Sequence, residues 1–131
     1  MKPKSLDKKK LRNSFKYAFS GIKLCIKDEQ NMLIHLTMAI LVIICGFIFE
    51  ISKFEWIICL LLIGIVMMME LLNTAIENVC DAVTDKENKY IKVAKDTAAG
   101  AVLVIAIVSA IIGLLIFIPR IMEVIQWQKN Y

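Results

Sequence analysis

Three long stretches of this sequence contain no Asp, Glu, Lys or Arg. They cover residues 32–49, 56–69 and 97–119 and are 18, 14 and 23 residues long. A helix needs about 20 apolar residues to cross the ~30 Å hydrocarbon core of a bilayer, so the first and third stretches are long enough. The second is long enough only if its helix continues through Glu70 to about Ile76. The sequence therefore predicts an all-α integral membrane protein with three transmembrane helices.

Composition supports this class and a single domain. Hydrophobic residues make up 59% of the 131 residues, and the mean hydropathy is +0.69. We expect one domain over residues 1–131, with no cleavable signal peptide before the first span. Its expected parts are a basic tail, a surface helix and three transmembrane helices, at residues 1–10, 11–28, 30–50, 55–80 and 97–119. The four cysteines lack metal-ligand spacing, so we expect reduced thiols.

Positive charge is concentrated in two segments. Nine of the sixteen Lys and Arg residues lie at or before Lys27, and four more lie in the second loop, which we place at residues 82–96. By the positive-inside rule, the N-terminus and this loop are cytoplasmic and the C-terminus lies outside. A basic segment beside a membrane span indicates anionic lipid head groups as its partner rather than nucleic acid.

The segment before the first span predicts an amphipathic helix. Phe15, Phe19, Ile22 and Ile26 repeat at spacings of four, three and four, so they share one helical face. Such a helix lies in the membrane interface. Its role stays open between a membrane anchor and one wall of a lipid-binding site.

Polar residues follow one another at the end of the second span. Glu70, Asn73, Glu77 and Asp81 are spaced by three, four and four residues, which places them on one face of a helix. A charged residue at the centre of a span costs ~2.5–3.5 kcal/mol on insertion scales, so Glu70 indicates a function. Aligned carboxylates offer oxygen ligands for Mg²⁺ and a candidate general base. Glu29, before the first span, is expected at the depth of Glu77, where it either completes a pocket or only stabilises a helix N-terminus.

Lys95 and Asp96 open the third span at the same membrane edge. The Lys95 ammonium either neutralises phosphate oxygens or simply extends to the interface. No glycine-rich phosphate loop occurs in the sequence, so a phosphoryl-transfer site would depend on a carboxylate-bound metal and on lysine. His35, the lone histidine, is more consistent with a hydrogen-bonded side chain than with a metal ligand.

The segment from Glu70 to Asp81 reads Glu-Leu-Leu-Asn-Thr-Ala-Ile-Glu-Asn-Val-Cys-Asp. It resembles the signature E-x-x-N-[ST]-A-I-E-x-x-x-D of the prokaryotic diacylglycerol kinase family of small integral-membrane lipid kinases. The similarity extends over roughly residues 10–118, with support from Ala94-Lys95-Asp96 and from Glu29. The resemblance implies a homotrimer in the bacterial inner (plasma) membrane, with active sites between subunits. It also implies ATP and Mg²⁺ on the cytoplasmic side and a membrane lipid alcohol as the acceptor.

The resemblance implies a role for each matching residue. Glu70 matches the catalytic base, Glu29 and Glu77 match carboxylates that bind metal and nucleotide, and Asn73 matches an amide that orients the site. The other nucleotide-binding positions are Tyr17, Asp81, Lys95 and Asp96. Lys10 stands near a position where the family often has Arg, and lysine lacks the bidentate phosphate contact of that residue. The loop at residues 86–90 differs from the usual family sequence, which leaves its adenine contacts unassigned.

The expected reaction is ATP-dependent phosphorylation of undecaprenol to undecaprenyl phosphate. Diacylglycerol, phosphorylated to phosphatidic acid, is the alternative acceptor, and closer resemblance to Gram-positive members favours undecaprenol. Two non-enzymatic hypotheses compete with both: an ion- or proton-pathway subunit that titrates Glu70, and an anchoring protein. Neither of these needs Glu29, Lys95 or Asp96.

Overall fold

The computed structural model of the chain describes residues 7–84, 86 and 88–129. The regular secondary structure of these residues consists of four helices. They are α1 (Lys8–Asp28), α2 (Gln30–Ile48), α3 (Lys53–Val83) and α4 (Lys89–Lys129). The last three are each long and apolar enough to cross a bilayer. The predicted all-α architecture with three candidate spans is confirmed.

The first helix begins earlier than we expected from the sequence. Asp7 caps it, because its carboxylate accepts hydrogen bonds from the backbone N–H groups of Lys9 and Lys10 at 2.9 and 3.3 Å. An aspartate at this position satisfies donors that the first helical turn leaves unpaired. Part of the predicted basic tail is therefore helical, and its residues 1–6 lie outside the described residues.

The fourth helix is longer than its predicted span at both ends. It begins at Lys89, where the Asn88 side chain accepts from the N–H of Tyr90 at 2.8 Å, and it continues past Pro119. Most of the loop that we placed at residues 82–96 is therefore helical, as is the segment that follows the predicted third span, as far as Lys129. The lysines in the first turns of α4 repeat every three residues, at 89, 92 and 95, a spacing compatible with one helical face.

A tight turn joins α2 to α3. Glu50 has a φ of 47°, in the left-handed region, and the N–H of Ile51 donates to the Gly46 carbonyl at 3.2 Å. Ser52 then starts α3 with a capping box, in which Ser52 and Glu55 bond to one another's backbone N–H groups. The turn therefore places α2 and α3 side by side and antiparallel.

The ends of the spans at this turn are packed and paired. The Trp56 ring lies against Phe47, with ring centroids 4.9 Å apart, and closely over Gly46. Arg120 of α4 donates to the Glu55 carboxylate at 2.9 Å, and both side chains are partly buried. These contacts hold the three spans together at one end. The face of α3 that carries Glu70, Asn73, Glu77 and Asp81, which we call the acidic stripe, lies toward the opposite end.

Replacing Gly46 by alanine tests this packing. A Cβ at Gly46 would lie 2.6 Å from the nearest Trp56 ring atom, so the ring has to move. Overpacking of this kind costs ~1–3 kcal/mol, and we expect a lower thermal midpoint for the detergent-solubilised protein. Gly64→Ala is the matched control, because a Cβ there meets nothing within 4 Å. Equal midpoints for the two variants would contradict the close Gly46–Trp56 contact.

Candidate active site

The acidic stripe of α3 faces protein rather than lipid over its first turn. Glu70 is 1% exposed, and Asn73 and Thr74 are also buried. The apolar residues Cys59 and Val66 are buried on the same helix. Polar residues inside a membrane span usually face the interior of a bundle, where they can pair or function. Helix α3 thus turns its charged and amide groups toward its neighbours.

Three buried oxygen atoms of this stripe lack hydrogen-bond donors. Both carboxylate oxygens of Glu70 and the Oδ1 atom of Asn73 have no partner among the described residues. An unpaired buried polar group costs ~1–3 kcal/mol, and more if it is charged. A site that keeps unpaired oxygens despite this cost is suited to bind a group that supplies a hydrogen-bond donor or a positive charge, such as a hydroxyl group or a metal ion.

The end of α1 covers the stripe. Cys25 is 2% exposed, and its Sγ atom lies 3.2 Å from the Thr74 hydroxyl oxygen. That hydroxyl donates to the Glu70 carbonyl at 3.0 Å, so its proton is used and the Cys25 thiol is the donor to Thr74. Burial raises the pKa of the Cys25 thiol, the Thr74 hydrogen bond opposes this rise, and the nearby Glu29 and Glu70 carboxylates add to it. The thiol therefore stays protonated at neutral pH and keeps this bond.

Glu29 reaches the same region from the corner between α1 and α2. Its backbone is extended, and its N–H donates to the Cys25 carbonyl at 3.0 Å, which ends α1. Glu29, His35 and Glu77 all interact electrostatically with the Glu70 carboxylate. Carboxylates of the α1–α2 corner and of α3 are thus close enough to influence one another.

Asn73 and Glu77 form a hydrogen-bonded pair one turn apart. The Asn73 amide donates to a carboxylate oxygen of Glu77 at 3.0 Å. Asn78, the next residue, donates to the Thr74 carbonyl at 2.8 Å. The Asn73 bond restrains the orientation of Glu77, which is half-buried.

The donor set fits a hard cation. No group of three or more His, Cys, Asp or Glu side chains close enough to hold a metal occurs in the described ranges. Mg²⁺ does not need such a group, because it is usually bound by one or two carboxylates together with substrate phosphates and water. The unpaired oxygens of Glu70 and Asn73 have the chemistry that Mg²⁺ prefers. The assignment of metal binding to Glu29 and Glu77 stays a prediction.

The charged residues expected at the nucleotide form two exposed ion pairs. Lys95 pairs with Asp81 across α3 and α4, and its ammonium also interacts electrostatically with Glu77. Asp96 pairs instead with Lys92, one turn earlier on α4, at 2.9 Å. Solvent-exposed pairs contribute only ~0–1 kcal/mol, so these side chains can exchange partners at little cost.

Three more exposed side chains are relevant to the predicted nucleotide site. We did not predict a role for Lys92 from the sequence, although its spacing of four residues from Asp96 is typical of an ion pair within a helix. Tyr17 is 70% exposed on α1, and Lys10 is exposed in the first turn of that helix. The nucleotide contacts of Tyr17 and Lys10 stay predictions.

Comparison with known proteins relates this chain to membrane lipid kinases. The family described as prokaryotic diacylglycerol kinase matches residues 16–117. Undecaprenol kinase of Bacillus subtilis (strain 168) is 51% identical over 108 residues, covering 82% of this chain and 88% of the relative. A diacylglycerol kinase of Synechocystis sp. is 34% identical over 111 residues, covering 84% of this chain and 63% of the relative. One from Haemophilus influenzae is 30% identical over 109 residues, covering 82% and 92%.

The contact between α1 and α3 is tested by Thr74→Val, which keeps the shape of the side chain and removes the hydroxyl. We expect a loss of ~1 kcal/mol in the free energy of unfolding, because the Cys25 thiol loses its acceptor. In a background without Cys45, Cys59 and Cys80, maleimide labelling of Cys25 should become faster. Thr74→Ser, which keeps the hydroxyl, should label slowly. Labelling of Cys25 in that background as fast as in the denatured chain would show that α1 does not cover this site.

Proposed function

The chain belongs to the prokaryotic diacylglycerol kinase family, and we propose that it phosphorylates undecaprenol with ATP to give undecaprenyl phosphate. It is an integral membrane protein and a lipid kinase; the proposal concerns its acceptor and its site. The higher identity to an undecaprenol kinase than to either diacylglycerol kinase supports undecaprenol. The observation that carries the reaction itself is the buried Glu70 carboxylate, with both oxygens unpaired in the described part of the chain.

Glu70 is the general base of this proposal. The lipid hydroxyl donates to a Glu70 oxygen, and its own oxygen attacks the γ-phosphorus of ATP. The bond from that phosphorus to the β–γ bridging oxygen breaks, ADP leaves, and the hydroxyl proton passes to the Glu70 carboxylate. Phosphoryl transfer depends mainly on positioning and charge neutralisation, so one well-placed general base is sufficient for the chemical step.

Glu29 and Glu77 are the residues that would hold Mg²⁺. A bound magnesium ion neutralises negative charge on the phosphates during transfer. Asn73 contributes by restraining Glu77 through its 3.0 Å hydrogen bond. The extended residue Glu29, in the corner between α1 and α2, would bring a second carboxylate to the same region. Carboxylates of this corner and of α3 would thus hold the magnesium ion together.

The nucleotide would bind where α3 and α4 carry their exposed ion pairs. Lys95 would exchange its Asp81 partner for phosphate oxygens, and Asp96 and Asp81 would remain nearby to bind polar groups of the nucleotide. Tyr17 offers an exposed aromatic face for the adenine ring. Lys92 joins these candidates, because it pairs directly with Asp96.

The assembly that we propose is a homotrimer in the bacterial inner membrane. The N-terminus and the α3–α4 connection are placed in the cytoplasm, and the C-terminus outside, on the distribution of Lys and Arg. Many large apolar side chains of the spans are exposed in the single chain, which suits contact with lipid and with other subunits. The basic start of α1 would rest on anionic head groups. ATP then arrives from water and the lipid arrives laterally.

Glu70→Gln tests the base. We expect lipid-dependent ADP release to fall by ~10²–10⁴, the usual contribution of a general base. Binding of a non-hydrolysable ATP analogue should be retained, because the nucleotide groups are unchanged. Glu123→Gln, at an exposed position of α4, is the control and should keep full activity. Loss of analogue binding in Glu70→Gln, with turnover lost as a result, would assign Glu70 to the nucleotide site instead.

The acceptor is tested with purified protein in detergent, by comparing undecaprenol with diacylglycerol under identical ATP concentrations. We expect kcat/KM for undecaprenol to be higher by at least about tenfold, because the ratio of kcat/KM values reflects how much better the site binds the transition state of one acceptor. A preference for diacylglycerol would overturn the acceptor while leaving the kinase assignment intact.

A further inference from the structure

A cavity of about 290 Å³ lies between the three spans. Helices α2, α3 and α4 each contribute to its lining, which consists mostly of aliphatic and methionine side chains. Two lining residues are polar, His35 on α2 and Ser109 on α4. The Ser109 hydroxyl oxygen is buried and has no hydrogen-bond partner among the residues that the structure describes. The cavity is therefore an apolar space with few polar groups.

This cavity starts beside the proposed base. Val66 and Met67 line it, and they lie about one helical turn before Glu70 on α3. His35 lines it too, and it interacts electrostatically with the Glu70 carboxylate. On α3 the lining extends back from Met67 to Cys59, which at ~1.5 Å per residue is a length of about 12 Å. The cavity thus leads from about one turn beyond the reacting carboxylate, through the middle of the span, toward its outer end.

Its size limits what it can hold. A volume of about 290 Å³ is at the lower end of the ~300–1,000 Å³ range of ligand pockets. Its length is less than half of the ~30 Å hydrocarbon core. It can accept the first part of a long hydrocarbon chain and not the whole chain.

We propose that this cavity binds the hydrocarbon segment next to the hydroxyl group of the acceptor, and that this segment is isoprenoid. The inference rests on the proposed function and adds a chain-binding subsite to it. With two or three isoprene units inside the cavity, the hydroxyl group comes to lie at the level of Glu70. The remaining chain continues into the lipid.

The lining explains why an isoprenoid alcohol fits better than diacylglycerol. An isoprenoid alcohol has no polar atom beyond its hydroxyl along the length of the cavity. Diacylglycerol carries ester carbonyls next to its hydroxyl, and these would be buried near the Glu70 end. His35 is the lining polar residue at that end, whereas Ser109 lies further along α4. A neutral imidazole has a single N–H donor, so at least one of the two ester carbonyls is buried without a donor, which weakens binding.

The chain offers two glycines for a matched test. Gly113 lines the cavity at its far end, and Gly64 is an exposed position of α3 outside the lining. A Cβ at either glycine meets nothing within 4 Å, so both tolerate a side chain locally. Gly113→Leu shortens the cavity, and Gly64→Leu adds the same side chain without entering it.

The first measurement compares acceptors of two lengths, prenol with five carbons and farnesol with fifteen, under MgATP. We expect Gly113→Leu to lower kcat/KM for farnesol by at least about tenfold and for prenol by less than about twofold, because only the longer chain reaches the far end of the cavity. Gly64→Leu should change neither value. Equal losses for both acceptors, or values for Gly113→Leu that match those of Gly64→Leu, would overturn the subsite.

The second measurement does not depend on turnover. Cys59 lines the cavity, so in a variant without Cys25, Cys45 and Cys80 its labelling by a small methanethiosulfonate reports occupancy. We expect farnesol to slow this labelling, and Gly113→Leu to abolish that protection. Labelling of Cys59 that farnesol does not change would overturn the subsite, even if lipid alcohols are phosphorylated. The cavity would then be filled by a second copy of the chain or hold no ligand. Protection without any lipid phosphorylation would uphold chain binding while the proposed kinase acceptor fails.

Discussion

The cost of burying the Glu70 carboxylate is the constraint on which the rest of the structure depends. This side chain is 1% exposed, and its oxygens lack donors within the described ranges. In membrane helices such groups are rare. They face the interior of the bundle rather than lipid, and they mark functional sites. The orientation of α3 follows, because the same face has to bury Glu70, Asn73 and Thr74 together. The positions of the neighbouring helices follow from that orientation.

Helix α1 completes the enclosure of this carboxylate. An amphipathic helix in the membrane interface, as we predicted for α1 from the sequence, could lie anywhere on the surface if its apolar side chains contacted only lipid. The buried contact from Cys25 to Thr74 fixes its end on α3 instead. Helix α1 ends three residues after Cys25, and the extended residue Glu29 is therefore held near the stripe. One small, protonated thiol thus helps to position the carboxylate that follows the end of its own helix.

Much of this arrangement was predictable from the sequence, and the remainder depends on tertiary contacts. Charge-free runs reveal the spans, and the spacing of Glu70, Asn73 and Glu77 reveals a single helical face, because both are local properties. The contact between Cys25 and Thr74 joins residues 49 positions apart, and nothing in either local sequence selects the partner. The ion pair between Lys95 and Asp81 has the same origin, because it joins residues 14 positions apart on α4 and α3. The pair between Lys92 and Asp96 is local, with the spacing of four residues that is typical of an ion pair within a helix.

The cavity between the spans follows from where the spans are fastened. At one end Trp56 packs over Gly46 and Arg120 pairs with Glu55. At the other end α4 packs against its neighbours through Ala98 and Val102, which are buried. Helices held at both ends cannot close freely around small residues in the middle. An empty apolar space loses dispersion contacts, and surrounding structure relaxes only partly to recover them. A hydrocarbon chain that enters from the Glu70 end restores those contacts, so substrate binding and bundle packing are served by the same surface.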